Sequence, residues 1–168
     1  MKKVLLVIVL VLGMAAMFAQ AKLDKGALQI NAGIGLSSWG VPVYVGADYG
    51  IYELEGNLGY ITAGGELSYR SWGNAGWKYT IFGIGVNGNY HFGELINMSP
   101  KVDTYAGLTL GYFIWDYPND YYGSNYSNLN LAAQAGARYF FTDKLGVNVE
   151  AGGGSVSGLK LGITYKLK

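Results

Sequence analysis

The chain contains one histidine, His91, and no cysteine. An imidazole can serve as a general base, and His and Cys side chains are the usual ligands of transition metals. A lone histidine cannot build such a metal site, so we expect no metal and no cofactor. For His91 we favour a structural role satisfied by hydrogen bonds over catalysis, and we predict no catalytic residue.

The segment "GIGVNG" at 83–88 matches the G-x-G-x-x-G pattern of nucleotide-binding loops. In those loops the phosphates sit at the N-terminus of a following helix. Here the segment lies inside an alternating run and no helical pattern follows. The glycines are better explained as positions where a strand must curve or leave room.

Six charged residues recur on one face of the alternating runs described below: Asp48, Glu66, Arg70, Arg138, Glu150 and Lys160. Arg138 and Glu150 stand almost opposite each other across one predicted hairpin. A charge in an enclosed space is costly unless it is paired. If this face is enclosed, the six charges should form a salt-bridge network. A gate or a path for small ions is the alternative.

Residues 116–128, "DYPNDYYGSNYSN", form the longest polar connection. Tyrosine among Asn, Ser and Gly makes adaptable contact surfaces, and its ring can stack on sugars. This loop is therefore the best candidate for a contact site, although anchoring of the tyrosines in lipid headgroups is the interpretation we favour. Its named residues are Tyr117, Asp120, Tyr121, Tyr122 and Tyr126.

The N-terminus resembles a secretory signal peptide. Lys2 and Lys3 precede an apolar run from Val4 to Phe18, and Ala19-Gln20-Ala21 supplies small residues for cleavage. We predict a signal peptide at 1–21 and one domain at 22–168, with cleavage after Ala19 as the alternative. A transmembrane anchor is less favoured because the run is short.

The rest of the chain alternates between apolar and small polar residues, with turn signals between runs. We predict eight antiparallel strands, each long enough for a tilted crossing of a bilayer. They cover about 27–38, 41–51, 58–71, 78–92, 102–115, 128–141, 145–153 and 158–167. The predicted fold class is therefore all-β, an eight-stranded antiparallel up-and-down transmembrane β-barrel.

The composition indicates which face points outward. Charged residues make up only 14% of the chain, against roughly 25% in soluble domains. The less apolar face is mostly Gly, Asn, Ser, Thr and Tyr, which suits a narrow lumen better than a solvated exterior. We therefore predict that the apolar face meets lipid. If the faces were inverted, the protein would be a soluble lipocalin-like carrier.

The order of the strands places the connections at two ends. If the first strand starts in the periplasm, the connections 37–40, 72–77, 116–127 and 154–157 lie outside the cell. The connections 52–57, 93–101 and 142–144 then lie in the periplasm. Aromatic residues gather at both ends, as in the belts of membrane barrels. The outer belt would hold Trp39, Trp72, Trp77 and Trp115, and the inner belt Tyr49, Tyr90, Phe92, Tyr139, Phe141 and Tyr165.

Three segments carry a family resemblance. "GARYFFTDKLGVNVEAG" (136–152) resembles the penultimate hairpin of small outer-membrane β-barrels of the OmpX and OmpA-barrel type. "YHFGELINMSPKVDTYAGLTLGYFIW" (90–115) resembles Bacteroidota barrels of this class. "LGITYKLK" (161–168) is similar to the closing strand that the barrel-insertion machinery reads, although it ends in Lys168 instead of an aromatic residue. The resemblance implies an outer-membrane location, with lipid, lipopolysaccharide and the insertion machinery as partners.

We expect a monomeric, non-enzymatic protein with a structural or surface-contact role and an unidentified surface ligand. A net charge of +1 gives no reason to expect nucleic-acid binding. A ligand-binding or narrow-pore transport barrel is one alternative. A lipid-modifying enzyme is another, because barrel lipid A deacylases and palmitoyltransferases resemble this architecture and use a catalytic His near the outer leaflet. His91 is predicted at the opposite end.

Overall fold

The computed structural model describes residues 21–74, 76–117, 126–152 and 156–167. The predicted signal peptide lies outside this part of the chain, except for Ala21. The described residues form eight strands. They are β1 (Leu28–Leu36), β2 (Val43–Glu53), β3 (Tyr60–Asn74), β4 (Trp77–His91), β5 (Val102–Asp116), β6 (Tyr126–Phe140), β7 (Leu145–Gly152) and β8 (Leu159–Lys166).

Each strand pairs antiparallel with the next, and β8 pairs with β1, so the sheet closes into a barrel. This confirms the predicted fold class. The strand ends agree with the prediction to within three residues. The largest departure is the predicted 72–77 connection, because β3 runs on to Asn74 and β4 already starts at Trp77. No helix among the described residues is long and apolar enough to span a membrane.

The seam between β1 and β8 depends on glycine. Gly33 is directly opposite Gly162 in the register of the two strands. A Cβ atom on Gly33 would come within 2.1 Å of the Leu161 carbonyl oxygen and 2.5 Å of the Gly162 Cα atom. Both neighbours are backbone, so they cannot move aside as a flexible side chain could. The small residues in this part of the sequence are therefore needed where the barrel closes.

The two faces of the strands differ as the alternation predicts. The outer wall carries exposed aliphatic side chains, such as Val45, Leu131 and Ile163. The inner wall carries buried polar side chains, such as Gln29, Asn89 and Thr164. The buried core of this barrel is thus largely polar, and its apolar surface lies outside. A water-soluble barrel has the opposite arrangement.

The terminal end of the barrel, where β1 starts and β8 finishes, is closed by the N-terminal segment. The opposite end is called the loop end. At the terminal end, residues 21–27 pack across the opening, where Leu23 and Ala27 are buried against Tyr60. The Ala21 amide donates a hydrogen bond to the Pro100 carbonyl oxygen at 2.6 Å.

Candidate functional site

A chain of ionic contacts crosses the lumen in its terminal half. The Arg138 guanidinium bonds to Asp48 at 2.5 Å and to Asp103 at 3.1 Å. The other oxygen of Asp103 lies 2.8 Å from Nδ1 of His91. These four side chains come from β2, β4, β5 and β6, so the network joins three consecutive strands to β2 on the other side of the lumen.

Neutral groups complete this first network. Asn31 donates from its amide nitrogen to Asp48 at 2.7 Å, and the Thr164 hydroxyl donates to the Asn31 amide oxygen at 2.7 Å. The ring of Tyr105 lies under Arg138, with 4.4 Å between the guanidinium carbon and the ring centroid. The buried charges are therefore paired and hydrogen-bonded, which is the condition under which a low-dielectric interior tolerates them.

A second network lies nearer the loop end. Lys160 bonds to Glu66 at 2.7 Å and to Glu150 at 2.5 Å. The Tyr105 hydroxyl donates to the second oxygen of Glu150 at 2.8 Å, which connects the two networks through one tyrosine. Between them lies a cavity of about 20 Å³, room for about one water molecule.

Arg70 belongs to neither network. Its guanidinium donates to the Ser37 hydroxyl at 2.7 Å and to the Val156 carbonyl at 3.0 Å, and it lies over the ring of Trp72 at 4.9 Å. The structure thus places Asp48 with Arg138, and Glu66 with Glu150 and Lys160. Arg70 lies near the mouth of the loop end and makes no ion pair with the other five.

Arg138 and Glu150 lie across the β6–β7 hairpin two residues out of register, and each makes its ion pair with another residue. Arg138 is opposite Asn148 in the strand register, and Glu150 is opposite Gly136. Side chains in a lumen meet across the barrel as well as between neighbouring strands. Arg138 reaches across to Asp48 on β2, whereas Glu150 pairs with Lys160, which stands directly opposite it on β8. Asp103 was missed altogether. Its inward position, two residues before Tyr105, was the available signal.

His91 is fully buried at 0% exposure and both of its ring nitrogens have partners. The Asp103 carboxylate can only accept, so Nδ1 carries the hydrogen in that contact. Nε2 lies 3.0 Å from the Thr62 hydroxyl. The order Thr62–His91–Asp103 matches a nucleophile, a base and an orienting acid. However, Thr62 is also fully buried, so no substrate can reach its hydroxyl in this conformation.

The prediction of the outer aromatic belt is wrong for two of its four tryptophans. Trp72 and Trp115 turn inward and pack against the buried cluster of Ile81, Phe113 and Val156 at the mouth of the loop end. Both have the same strand parity as lumen residues, so alternation directs them inward. The other two predicted members, Trp39 and Trp77, are exposed at 58% and 38%.

The residues of the predicted inner belt lie at the terminal end, as their positions in the strands predict. Tyr49, Tyr139, Phe141 and Tyr165 are exposed on the outer wall. Tyr139 packs edge-on against Phe141 at 5.4 Å, and Tyr90 lies 6.1 Å from Phe92. Tyr90 also donates its hydroxyl to the Leu58 carbonyl at 2.5 Å, which ties the belt to the β2–β3 connection.

The predicted contact loop is described only at its edges. Tyr117 packs edge-on against Tyr79 at 5.9 Å, and Tyr79 stacks on Trp72 at 5.4 Å. Tyr126 is the first residue of β6 and pairs with Trp115, so it belongs to a strand. Asp120, Tyr121 and Tyr122 lie outside the described residues. Nowhere in the described part do three or more His, Cys, Asp or Glu side chains meet in a way that could hold a metal ion.

No protein-family model and no curated protein sequence matches the chain. Similarity is found among solved structures, all at low sequence identity. A designed transmembrane β-barrel has a TM-score of 0.55 at 20% identity and covers 87% of this chain and 99% of its own. Neisserial surface protein A has a TM-score of 0.57 at 16% identity and covers 84% and 96%.

Ail, the attachment invasion locus protein of Yersinia pestis, was solved in complex with the heparin analogue sucrose octasulfate. It has a TM-score of 0.52 at 13% identity and covers 85% of this chain and 96% of its own. At these identities the likeness concerns the fold alone. This chain has the fold of a small eight-stranded β-barrel that these three proteins share.

Proposed function

We propose that this protein is an integral outer-membrane barrel with a closed lumen, acting as a membrane-embedded scaffold that presents a contact surface at its loop end. The observation that carries the proposal is the combination of an exposed aliphatic wall with a polar, ion-paired interior. Such a wall is too extensive for a soluble monomer. A closed barrel leaves no sheet edge unpaired in a bilayer.

The filled lumen favours a scaffold over a pore. Side chains of Arg138, Lys160 and Tyr105 cross the space, and Phe113 and Val156 cover it towards the loop end. The two cavities found among these groups measure about 20 Å³ each, enough for about one water molecule. Both are smaller than an ion with its hydration shell would require.

The experiment that tests closure is single-channel recording. Protein purified from the outer membrane and reconstituted in planar bilayers is expected to give no discrete conductance steps in concentrated KCl. The same preparation should migrate faster in an unboiled gel lane than in a boiled one, which shows that folded barrels were present. Reproducible steps that disappear after boiling would contradict the scaffold and favour the narrow pore.

We also propose that the protein is not an enzyme. Among the described residues, the arrangement with the order of a nucleophile, a base and an orienting acid is Thr62–His91–Asp103. It is covered by Tyr60, whose ring stacks on His91 with 4.2 Å between the centroids and 10° between the planes. A lipid-modifying reaction needs an acyl chain next to the nucleophile. In this barrel the histidine is enclosed at the terminal end, among side chains that already use its hydrogen-bonding capacity.

Aromatic residues at the loop end form a fixed frame on which the proposed contact surface lies. The rings of Trp72, Tyr79 and Tyr117 connect the β3–β4 and β5–β6 hairpins. Gly40 packs closely on Ser71, so the β1–β2 connection rests on the same frame. Trp39 is exposed on that connection, and large exposed aromatics on a fixed frame are typical anchors of binding surfaces. Lys78 is the only exposed cation among the described loop-end residues, which favours a neutral glycan over a sulfated one.

This contact is testable on cells. Replacing Trp39 and Trp77 together by Ser is expected to lower retention of barrel-expressing cells on immobilised neutral glycans by roughly tenfold or more, because two stacking rings are lost. Tyr165→Ala, which removes an exposed aromatic at the terminal end, is the matched control and should leave retention unchanged. Equal retention of the double variant and the parent would rule out these rings as the contact.

A further inference from the structure

We propose that the cavity at the terminal end is a binding site for a small organic cation that carries an ammonium group on a short alkyl chain. The cavity measures about 200 Å³ and lies between the N-terminal segment and the β4–β5 connection. Its lining includes Lys22, Tyr60, Glu94, Met98, Val102 and Asp103. It is ten times the volume of the water-sized cavities inside the lumen.

The first support is an unused hydroxyl group. Tyr60 is only 4% exposed, and its ring is held by stacking on His91. Its hydroxyl makes no hydrogen bond of acceptable geometry with the described residues, although the Asp103 side chain and the Leu23 backbone are close by. A buried polar group without a partner is unfavourable. A ligand in the cavity that hydrogen-bonds to this hydroxyl would remove that cost.

The second support is the balance of charge. Glu53 and Glu94 share Lys22 at the rim of the cavity, and Asp48 and Asp103 share Arg138 at its inner end. Lys166 donates to the Lys22 carbonyl at 2.6 Å but does not line the cavity. The charged residues that line the cavity itself are two carboxylates, Glu94 and Asp103, and one ammonium, Lys22. A bound monocation would restore neutrality, and an anion would add to the excess.

The third support is the apolar part of the wall. Met98, Pro100 and Val102 line one side of the cavity. Met98 is held in place by the Thr104 hydroxyl, which donates to its sulfur at 3.7 Å. Methionine adapts its shape to apolar guests. A site with one apolar wall and a few converging polar groups is the usual form of a small-molecule pocket.

The cavity is reached from the terminal end. Glu94 is half-buried and Ser99 and Pro100 are exposed at its rim, so a ligand can enter without opening the lumen. With the proposed topology this end faces the periplasm. Access from the periplasm rests on the proposed function, because it depends on how the barrel is placed in the membrane. Binding itself requires neither a lipid bilayer nor a conducting lumen.

Met98 supplies a selective probe. The other three methionines lie at positions 1, 14 and 17, within the predicted signal peptide, so the mature chain should hold only Met98. Protein purified from the outer membrane after labelling with methyl-13C methionine should give one methyl resonance from the cavity wall. This resonance would be followed while n-butylammonium is added, with n-butyrate and n-butanol as probes of the same chain length.

The expected result is a saturable shift with n-butylammonium and no saturable shift with n-butyrate or n-butanol. Tyr60→Phe and Glu94→Gln should each weaken the apparent affinity by roughly tenfold, since the first removes a hydrogen-bond acceptor and the second removes a negative charge that faces the ammonium. Glu55→Gln is the matched control, because Glu55 is exposed in the neighbouring β2–β3 connection and does not line the cavity. Its affinity should equal that of the parent.

The proposal is overturned if n-butylammonium gives no saturable shift, or if all three probes act alike. It is also overturned if both Tyr60→Phe and Glu94→Gln bind as the parent does. Gel mobility without boiling checks that each variant is folded. If Tyr60→Phe does not fold, Glu94→Gln at the rim carries the test alone. Failure of the scaffold would appear as conductance steps, which this titration does not measure.

Discussion

Arg138→Met is expected to lower the free energy of unfolding by about 3–5 kcal/mol, the usual cost of breaking a buried ion pair from one side. Arg138 is nearly fully buried, and it is the cation that Asp48 and Asp103 share. Methionine has a similar length but carries no charge. It therefore leaves the carboxylates of Asp48 and Asp103 enclosed without their shared cation. The measurement is urea unfolding of the barrel in lipid vesicles, followed by tryptophan fluorescence.

Two variants separate charge from packing in this test. The triple variant Arg138→Met, Asp48→Asn, Asp103→Asn removes the unpaired carboxylates together with their cation, and it should recover most of the loss. Arg70→Met removes a cation that makes no ion pair with the other lumen charges, so its effect should be much smaller. If Arg138→Met and Arg70→Met lose equal stability, the Arg138 network does not hold the barrel together.

Leu131→Arg is expected to cost about 2–4 kcal/mol of unfolding free energy in a bilayer, the value for a cation placed near the membrane midplane on the lipid face of a barrel. Leu131 is 69% exposed and lies in the middle region of the outer wall, on β6. The same urea titration in vesicles measures this loss.

Leu145→Arg is the matched control. Leu145 is the first residue of β7, at the terminal end of the same outer wall, and it is 42% exposed. An arginine there can reach the headgroups, so the cost should fall to about 0–1 kcal/mol. A surface in water would tolerate both variants almost equally. Equal, small losses would therefore contradict the membrane placement and favour the soluble carrier.

The two networks indicate how the register of the strands is fixed in a barrel whose core is largely polar. A lumen filled with Gly, Thr and Asn offers little hydrophobic stabilisation. The ion pairs instead join both neighbouring and distant strands at fixed points. Arg138 on β6 reaches the neighbouring β5 and the distant β2, and Lys160 on β8 reaches the neighbouring β7 and the distant β3. A slip of one strand by a single residue would turn these charges into the outer wall. The same slip would bury an aliphatic side chain in the lumen.

The amino-acid sequence by itself determined the local features of this protein. Side chains alternate strictly across a strand, so period two gave the number of strands, their approximate ends and the face of each residue. The parity of Asp48, Glu66, Arg138, Glu150 and Lys160 is a local property as well. It placed all five inside the barrel without knowledge of their partners.

Only the tertiary structure decided which side chains meet. Arg138 stands opposite Asp103 in the register of β5 and β6, but it also pairs with Asp48 on β2, because closing the sheet brings β2 and β6 together across the lumen. The parity of Trp72 and Trp115 already directs them inward, and the tertiary structure adds that they pack against Ile81, Phe113 and Val156. The cavity at the terminal end likewise exists only because the N-terminal segment packs against the β4–β5 connection. No periodic pattern in the sequence predicts a contact between these two parts of the chain.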